Sequence, residues 1–279
     1  MKIIFVFFAV FFVTATLIAQ EWQELKGEHF IVYFIQDKDF ASDILYKAEK
    51  DYDRIASDLG YARYSNFWTW ANRVKIYIYP DSTSYHGASA QPEWSEGMAD
   101  YTNKRILSYS GSSDFIESIL PHEIAHLIFR DFIGFESEIP LWLDEGVAQW
   151  EENTKKDMIK RTAKEFLKDG TWLSLKDMMD LDVRHLEDTD KIHLRTTFID
   201  DKPNFIVIDG KNLVNLYYLQ SASLVGFLIE RYGADNFTNF CRRLRDGKIL
   251  EDALISAYST YLRDLVDLEN KWMQYLREE

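Results

Sequence analysis

Residues 120–150 read LPHEIAHLIFRDFIGFESEIPLWLDEGVAQW, and how this stretch folds decides the rest. The apolar spacing over 113–132 predicts a helix, with Pro121 tolerated if it falls in the first turn. On a helix, His122 and His126 stand one turn apart on the same face, so both imidazoles can reach one ion. Glu123 lies about 100° further round, beside that ion rather than aimed at it, where a base for an activated water is wanted. A hydrolytic metal site takes three protein ligands and keeps one position open. The third ligand is expected at Glu145, 18 residues beyond His126, on a second helix predicted over 140–152 and opened by Pro140. Gly134 lets the first helix end and the chain return alongside. Trp142, Leu143 and Val147 surround Glu145 with apolar bulk, so its carboxylate is expected to be buried, which is costly unless the group is paired or binds metal. Structural zinc sites usually have four ligands and are rich in cysteine. This chain has one cysteine, Cys241, set in FTNFCRRL as a buried core thiol. Two His and a Glu therefore point to one catalytic zinc ion.

Working outward, the class is α+β. Residues 30–35 (FIVYFI) and 74–79 (VKIYIY) read as strands and 105–109 (RILSY) as a third, short one. Apolar residues from Phe40 to Leu59 recur near the 3.6 period of a helix that Gly60 stops. Residues 81–96 read as irregular. Beyond 112 the pattern is mainly helical, over 155–168, 211–232, 234–245, 248–257 and 259–277, interrupted by a hairpin near 195–209. The expected organisation is a small αβ lobe with a mixed sheet and a long helix (20–111), followed by a mainly helical lobe (112–279), with no repeats and no long linker.

The chain has 279 residues, of which 32 are basic and 46 acidic, giving a net charge of −14. That balance argues against nucleic acid as a partner. Met1–Lys2, an apolar run from Ile3 to Ile18 and Ala19 have the form of a secretory signal over 1–19, which places the protein outside the cytoplasm, periplasmic or extracellular. An uncleaved N-terminal anchor is the alternative. No other apolar run is long enough to cross a bilayer.

HEIAH, 18 residues and then the Glu of LWLDEGVAQW resemble the gluzincin metallopeptidases of the MA clan. The second segment is similar to the W-L-x-E-G-x-A signature of zinc aminopeptidases and closer still to bacterial proteins with a stand-alone peptidase MA-like domain. EHFIVYF, a long helix ending DRIASDLGY, and YYLQSASLVGFLIERYG before a last helix ending WMQYL extend the likeness over about 22–279. The resemblance implies a zincin-like fold with HExxH on the central helix and a peptide or protein substrate. It implies that His122, His126 and Glu145 bind zinc and that Glu123 is the general base and then proton donor. A Tyr or His from the C-terminal lobe commonly stabilises the oxyanion in such enzymes. Tyr218 is the candidate here, with Tyr217 behind it, although both also suit core packing. The resemblance further implies an edge strand just before the metal helix that holds the substrate backbone, expected at Arg105 to Ser110. Gly97 to Asp100 match the amine-holding element of aminopeptidases poorly, which favours an endopeptidase. Asp144 and Gln149 are candidates for orienting the ligands, with a solvated helix end as the equal alternative for Asp144. The competing readings are a catalytically inactive binding module on the same fold and a zinc hydrolase of a non-peptide substrate.

Overall fold

The computed structural model describes residues 21–62, 68–134, 139–199 and 202–278; the stretch 1–19 read as a signal lies outside them. The N-terminal part is built on a five-stranded mixed sheet. Its strands are β1 (Gln23–Lys26), β2 (Phe30–Phe34), β3 (Val74–Tyr79), β4 (Gly97–Asp100) and β5 (Arg105–Tyr109). The order across the sheet is β1-β2-β3-β5-β4, with β2, β3 and β5 parallel and β1 and β4 antiparallel at the two ends. Alternation sets the two faces. Phe30, Val32 and Phe34 on β2 and Val74, Ile76 and Ile78 on β3 are buried. They pack beneath α1 (Lys38–Asp58), whose inward stripe is Ala41, Ile44, Ala48, Tyr52 and Ile55. Asp37 starts α1 by accepting a hydrogen bond from the Phe40 N–H (3.1 Å), an N-cap that satisfies one orphan donor.

The short segments depart from the reading of the sequence. Residues 82–89 form a helix, α2 (Ser82–Ser89), rather than an irregular stretch. Asp81 caps it through the Ser84 N–H, and Tyr85 anchors it in the core. The strand at 105–109 is not the edge, because β4 pairs outside it, with Gly97 opposite Ser108 and Asp100 opposite Arg105. The free edge nearest the helix that carries His122 and His126 is therefore β4.

After β5 the chain makes one wide turn at Phe115–Ile119, in which the Leu120 N–H reaches the Phe115 carbonyl, and continues as α3 (Leu120–Ile133). Pro121 explains that turn's place: it has no N–H to offer the turn before it, so the ladder is broken where a wider loop of backbone costs least. Such single wide turns are frequent at functional sites. α3 is buried on almost every side, and Gly134 ends it at a φ of 111°, a backbone conformation natural to glycine. α4 (Leu141–Trp150) follows and packs on α3 and on α7 (Gly210–Tyr232).

α5 (Lys156–Lys168) and α6 (Leu175–Asp180) lead to a hairpin of β6 (Lys191–Ile199) and β7 (Lys202–Asp209), which begins four residues earlier than the sequence suggests. α8 (Ala234–Arg245), α9 (Leu250–Ala257) and α10 (Leu265–Glu278) complete the helical part. Cys241 is fully buried there, and burial pushes its thiol up to about 12, so it stays an inert thiol. Among the described residues, no helix is long and apolar enough to cross a membrane.

Two contacts fix how α4 sits. A Cβ on Gly146 would lie 2.6 Å from the Ser221 carbonyl oxygen of α7, so α4 can approach that backbone closely only with glycine here. Gly146→Ala is expected to cost about 1–3 kcal/mol through overpacking. Thermal unfolding should show a fall of about 2–4 °C for each kcal/mol. At the far end of α4, Arg54 of α1 donates to the buried Glu151 carboxylate (2.6 Å) and to its carbonyl (2.7 Å). This pair bolts the N-terminal helix to the end of the helix that carries Glu145.

Candidate metal centre

His122 and His126 project from α3 into the angle between α3 and α4. Their Nε2 atoms are 3.2 Å apart. From α4, Glu145 Oε2 lies 3.8 Å from His122 Nε2 and 3.7 Å from His126 Nε2. Two donors each 2.0–2.1 Å from a tetrahedral ion stand roughly 3.3–3.4 Å apart, so this triangle has close to the size zinc requires. The three are the residues among those described that could hold a metal ion together.

The outer nitrogens decide what the inner ones are. His126 Nδ1 lies 3.0 Å from Asp144 Oδ1, and His122 Nδ1 lies 2.9 Å from Glu152 Oε1. A carboxylate can only accept, so each Nδ1 carries the proton and donates it. The two Nε2 atoms then face each other at hydrogen-bond distance, one proton between them in the metal-free protein, and a metal ion would take that proton's place. The donor set, the tautomers and the spacing all fit a zinc ion.

Charge around the pair points the same way. Burial alone would lower the pKa of His126, but the carboxylates of Asp144 and Glu145 and the Tyr101 hydroxyl raise it well above the ordinary value. A position that draws a proton so strongly in the bare protein is one where a cation is favoured, and a metal would displace that proton. For Glu152 burial works in the opposite direction, upward, yet its bonds from His122, Lys155 and Ser118 bring it down to about 2. Asp144 is likewise lowered against its burial by His126 and Arg130.

Asp144 is thus a buried partner of His126, not a solvated helix end. Glu145 is the more open of the two, with 19% of its side chain exposed, contrary to the expectation of a buried carboxylate. Consecutive helix positions point about 100° apart, so only one of them can face the core, and the other faces the cleft. Gln149 is half-buried and no contact ties it to either imidazole; Glu152 has the role expected of it. Glu152 lies just past the end of α4 at Trp150, where the chain leaves the helix, so no helical spacing marks it in the sequence.

Glu123 lies beside His122 in the wall of a cleft of about 370 Å³ that also touches Gly97, at the start of the edge strand β4. Tyr218 is half-buried on α7; burial and the charge of Glu145 raise its hydroxyl to about 12, so it remains a donor at neutral pH. Tyr217 is fully buried with a hydroxyl that finds no partner among the described residues, and burial raises its pKa as well. Tyr101, which the sequence does not single out, sets its ring edge-on to His126 at 5.9 Å, with Arg130 over its face at 4.3 Å. His29 and His86 bond elsewhere, to Glu49 and to the Ser82 and Ser95 carbonyls, and His185 and His193 are exposed.

Glu152→Gln and Asp144→Asn are each expected to weaken zinc binding about 10- to 100-fold while the fold survives. Competition with a chelating dye measures this, and unchanged affinity would show that neither carboxylate orients its imidazole.

No family model matches the chain, and no curated protein does. Among solved structures it is similar to a conserved protein of unknown function from Bacillus anthracis str. Ames. The two share 11% identity over 92% of this chain and 50% of that one, with a TM-score of 0.45. The chain therefore spans half the length of that protein.

Proposed function

We propose that the protein is an exported zinc-dependent peptidase in which His122, His126 and Glu145 hold one zinc ion. The observation that supports this best is the orientation of the two imidazoles, each Nδ1 committed to a buried carboxylate and each Nε2 turned toward Glu145. When bound, zinc supplies Lewis acidity, acidifying water and polarising a carbonyl.

The chain's own residues do the rest. Glu123 takes the proton of the attacking water and passes it to the leaving amine. The Tyr218 hydroxyl, held protonated, donates to the carbonyl oxygen as it gains charge. The unpaired edge of β4, beside Glu123 in the same cleft, offers backbone N–H and C=O groups to an extended peptide. An edge of that kind suits a chain running past the site in both directions, as in an endopeptidase. Export rests on the basic start and apolar run of residues 1–19.

The test is metal analysis of the purified protein together with cleavage of an unbiased peptide library. Stoichiometric zinc, with cleavage lost on chelation and restored by added zinc, is the expected result. Protein that binds no zinc would overturn the reading.

A further inference from the structure

The cleft beside Glu123 has a composition that a peptidase site does not require. Its walls carry Glu96, Asp114, Glu123 and Glu152 against a single cation, Lys155, and Trp94 stands at its rim with 83% of its surface exposed. What makes the cleft part of the site is its floor, formed by His122 and Glu123, and not its charge.

The charge can be followed group by group. Lys155 is spent on Glu152 at 2.5 Å, and Glu152 also takes bonds from His122 and Ser118. Glu96 is held in place by the Ser112 hydroxyl at 2.5 Å, a neutral donor that leaves its charge uncompensated. Asp114, at the cleft's outer edge, is exposed. Four carboxylates and one ammonium leave three negative charges. A divalent ion against Glu145 would return one positive charge, and the N-terminal end of α3 about half of one. The cleft stays negative under either correction.

We propose that this cleft is a subsite for a cationic group of the substrate, an ammonium or guanidinium carried next to the scissile bond. The inference rests on the peptidase reading above and adds the substrate class. Glu96 and Asp114 supply the attraction, and the Trp94 ring covers the aliphatic stem of the bound side chain or packs over its charge. A peptide lying along the β4 edge reaches the cleft at Gly97. A side chain there would clash with Ile119 and Phe115, since a Cβ on Gly97 would lie 2.8 Å from the Ile119 methyl. The strand is thus held tight against the turn before α3.

The test measures binding and cleavage side by side on the full chain. Four short peptides are used, differing only in lysine or norleucine at one position and in a free or acetylated amino terminus. Trp94 provides a fluorescence signal for binding. The lysine peptide is expected to bind about twofold to fivefold more tightly than its norleucine twin. That preference should shrink at high salt and collapse in the Glu96→Gln/Asp114→Asn variant. A preference that follows the free amino terminus instead assigns the same subsite to the chain's own ammonium. Equal binding of all four peptides would overturn the proposal. Selective binding with no cleavage of any peptide would keep the subsite and discard the hydrolytic reading.

Discussion

Glu123→Gln is expected to lower the turnover of any peptide substrate by about a hundredfold to ten-thousandfold while leaving bound zinc at one per chain. The size of the effect follows from position. Glu123 lines the cleft beside His122 and makes no bond to the imidazoles, so removing its charge takes away the proton acceptor and leaves the ligands alone. Glutamine keeps the shape and the capacity to hydrogen-bond but cannot accept the proton. The informative comparison is kcat against KM on the same peptide. A loss confined to kcat is the signature of a group acting in the transition state. Retained turnover would remove Glu123 from the mechanism, and lost zinc would make it a ligand instead.

Glu145→Ala should have the largest effect on the metal. Loss of a direct ligand should exceed the roughly hundredfold upper range for the partners behind the imidazoles. Two imidazole nitrogens would remain at 3.2 Å with no carboxylate among the donors. Ligand binding to the folded state alone stabilises by about 4 kcal/mol at a thousandfold excess over Kd. Added zinc should therefore raise the Tm of the unaltered protein clearly and that of Glu145→Ala little. Equal shifts in the two proteins would place the third ligand elsewhere.

The parts of this molecule that could be read from the sequence are those whose signal is local. α3 and α4 announce themselves by spacing, Gly134 and Pro140, and α7 by a long apolar period that the structure matches to one residue. The ligand trio is legible because i and i+4 on a helix are neighbours wherever the helix sits. The misses share a cause. QELK at β1 and GMAD at β4 have no strand propensity worth the name; pairing with β2 and β5 makes them strands. STSYHGAS is a poor helix former that α2 owes to the Asp81 cap and to Tyr85. Choosing β5 as the edge failed because order across a sheet is a long-range property. At the site, Glu152 and Tyr101 were missed for the same reason, since their partners lie 30 and 25 residues away. Glu145 is more open than its apolar neighbours suggest, and Asp144 takes the buried one of its two readings, because neighbours in sequence do not say which of two adjacent acids faces inward.

The bond from Arg54 to Glu151 spans 97 residues, and it bears on the order of events as the chain folds. Glu152, which orients His122, is the next residue along. The carboxylate behind the first imidazole is therefore set only once α1 has docked against the end of α4, a contact of large sequence separation and correspondingly slow to form. The three proposed ligands lie within residues 122–145, so a nascent or extended chain holds the donors but not the geometry. On the proposed reading, tight metal capture is then the last step, made by a finished protein, and a fragment beginning at α3 is expected to keep the three side chains and still hold the ion weakly.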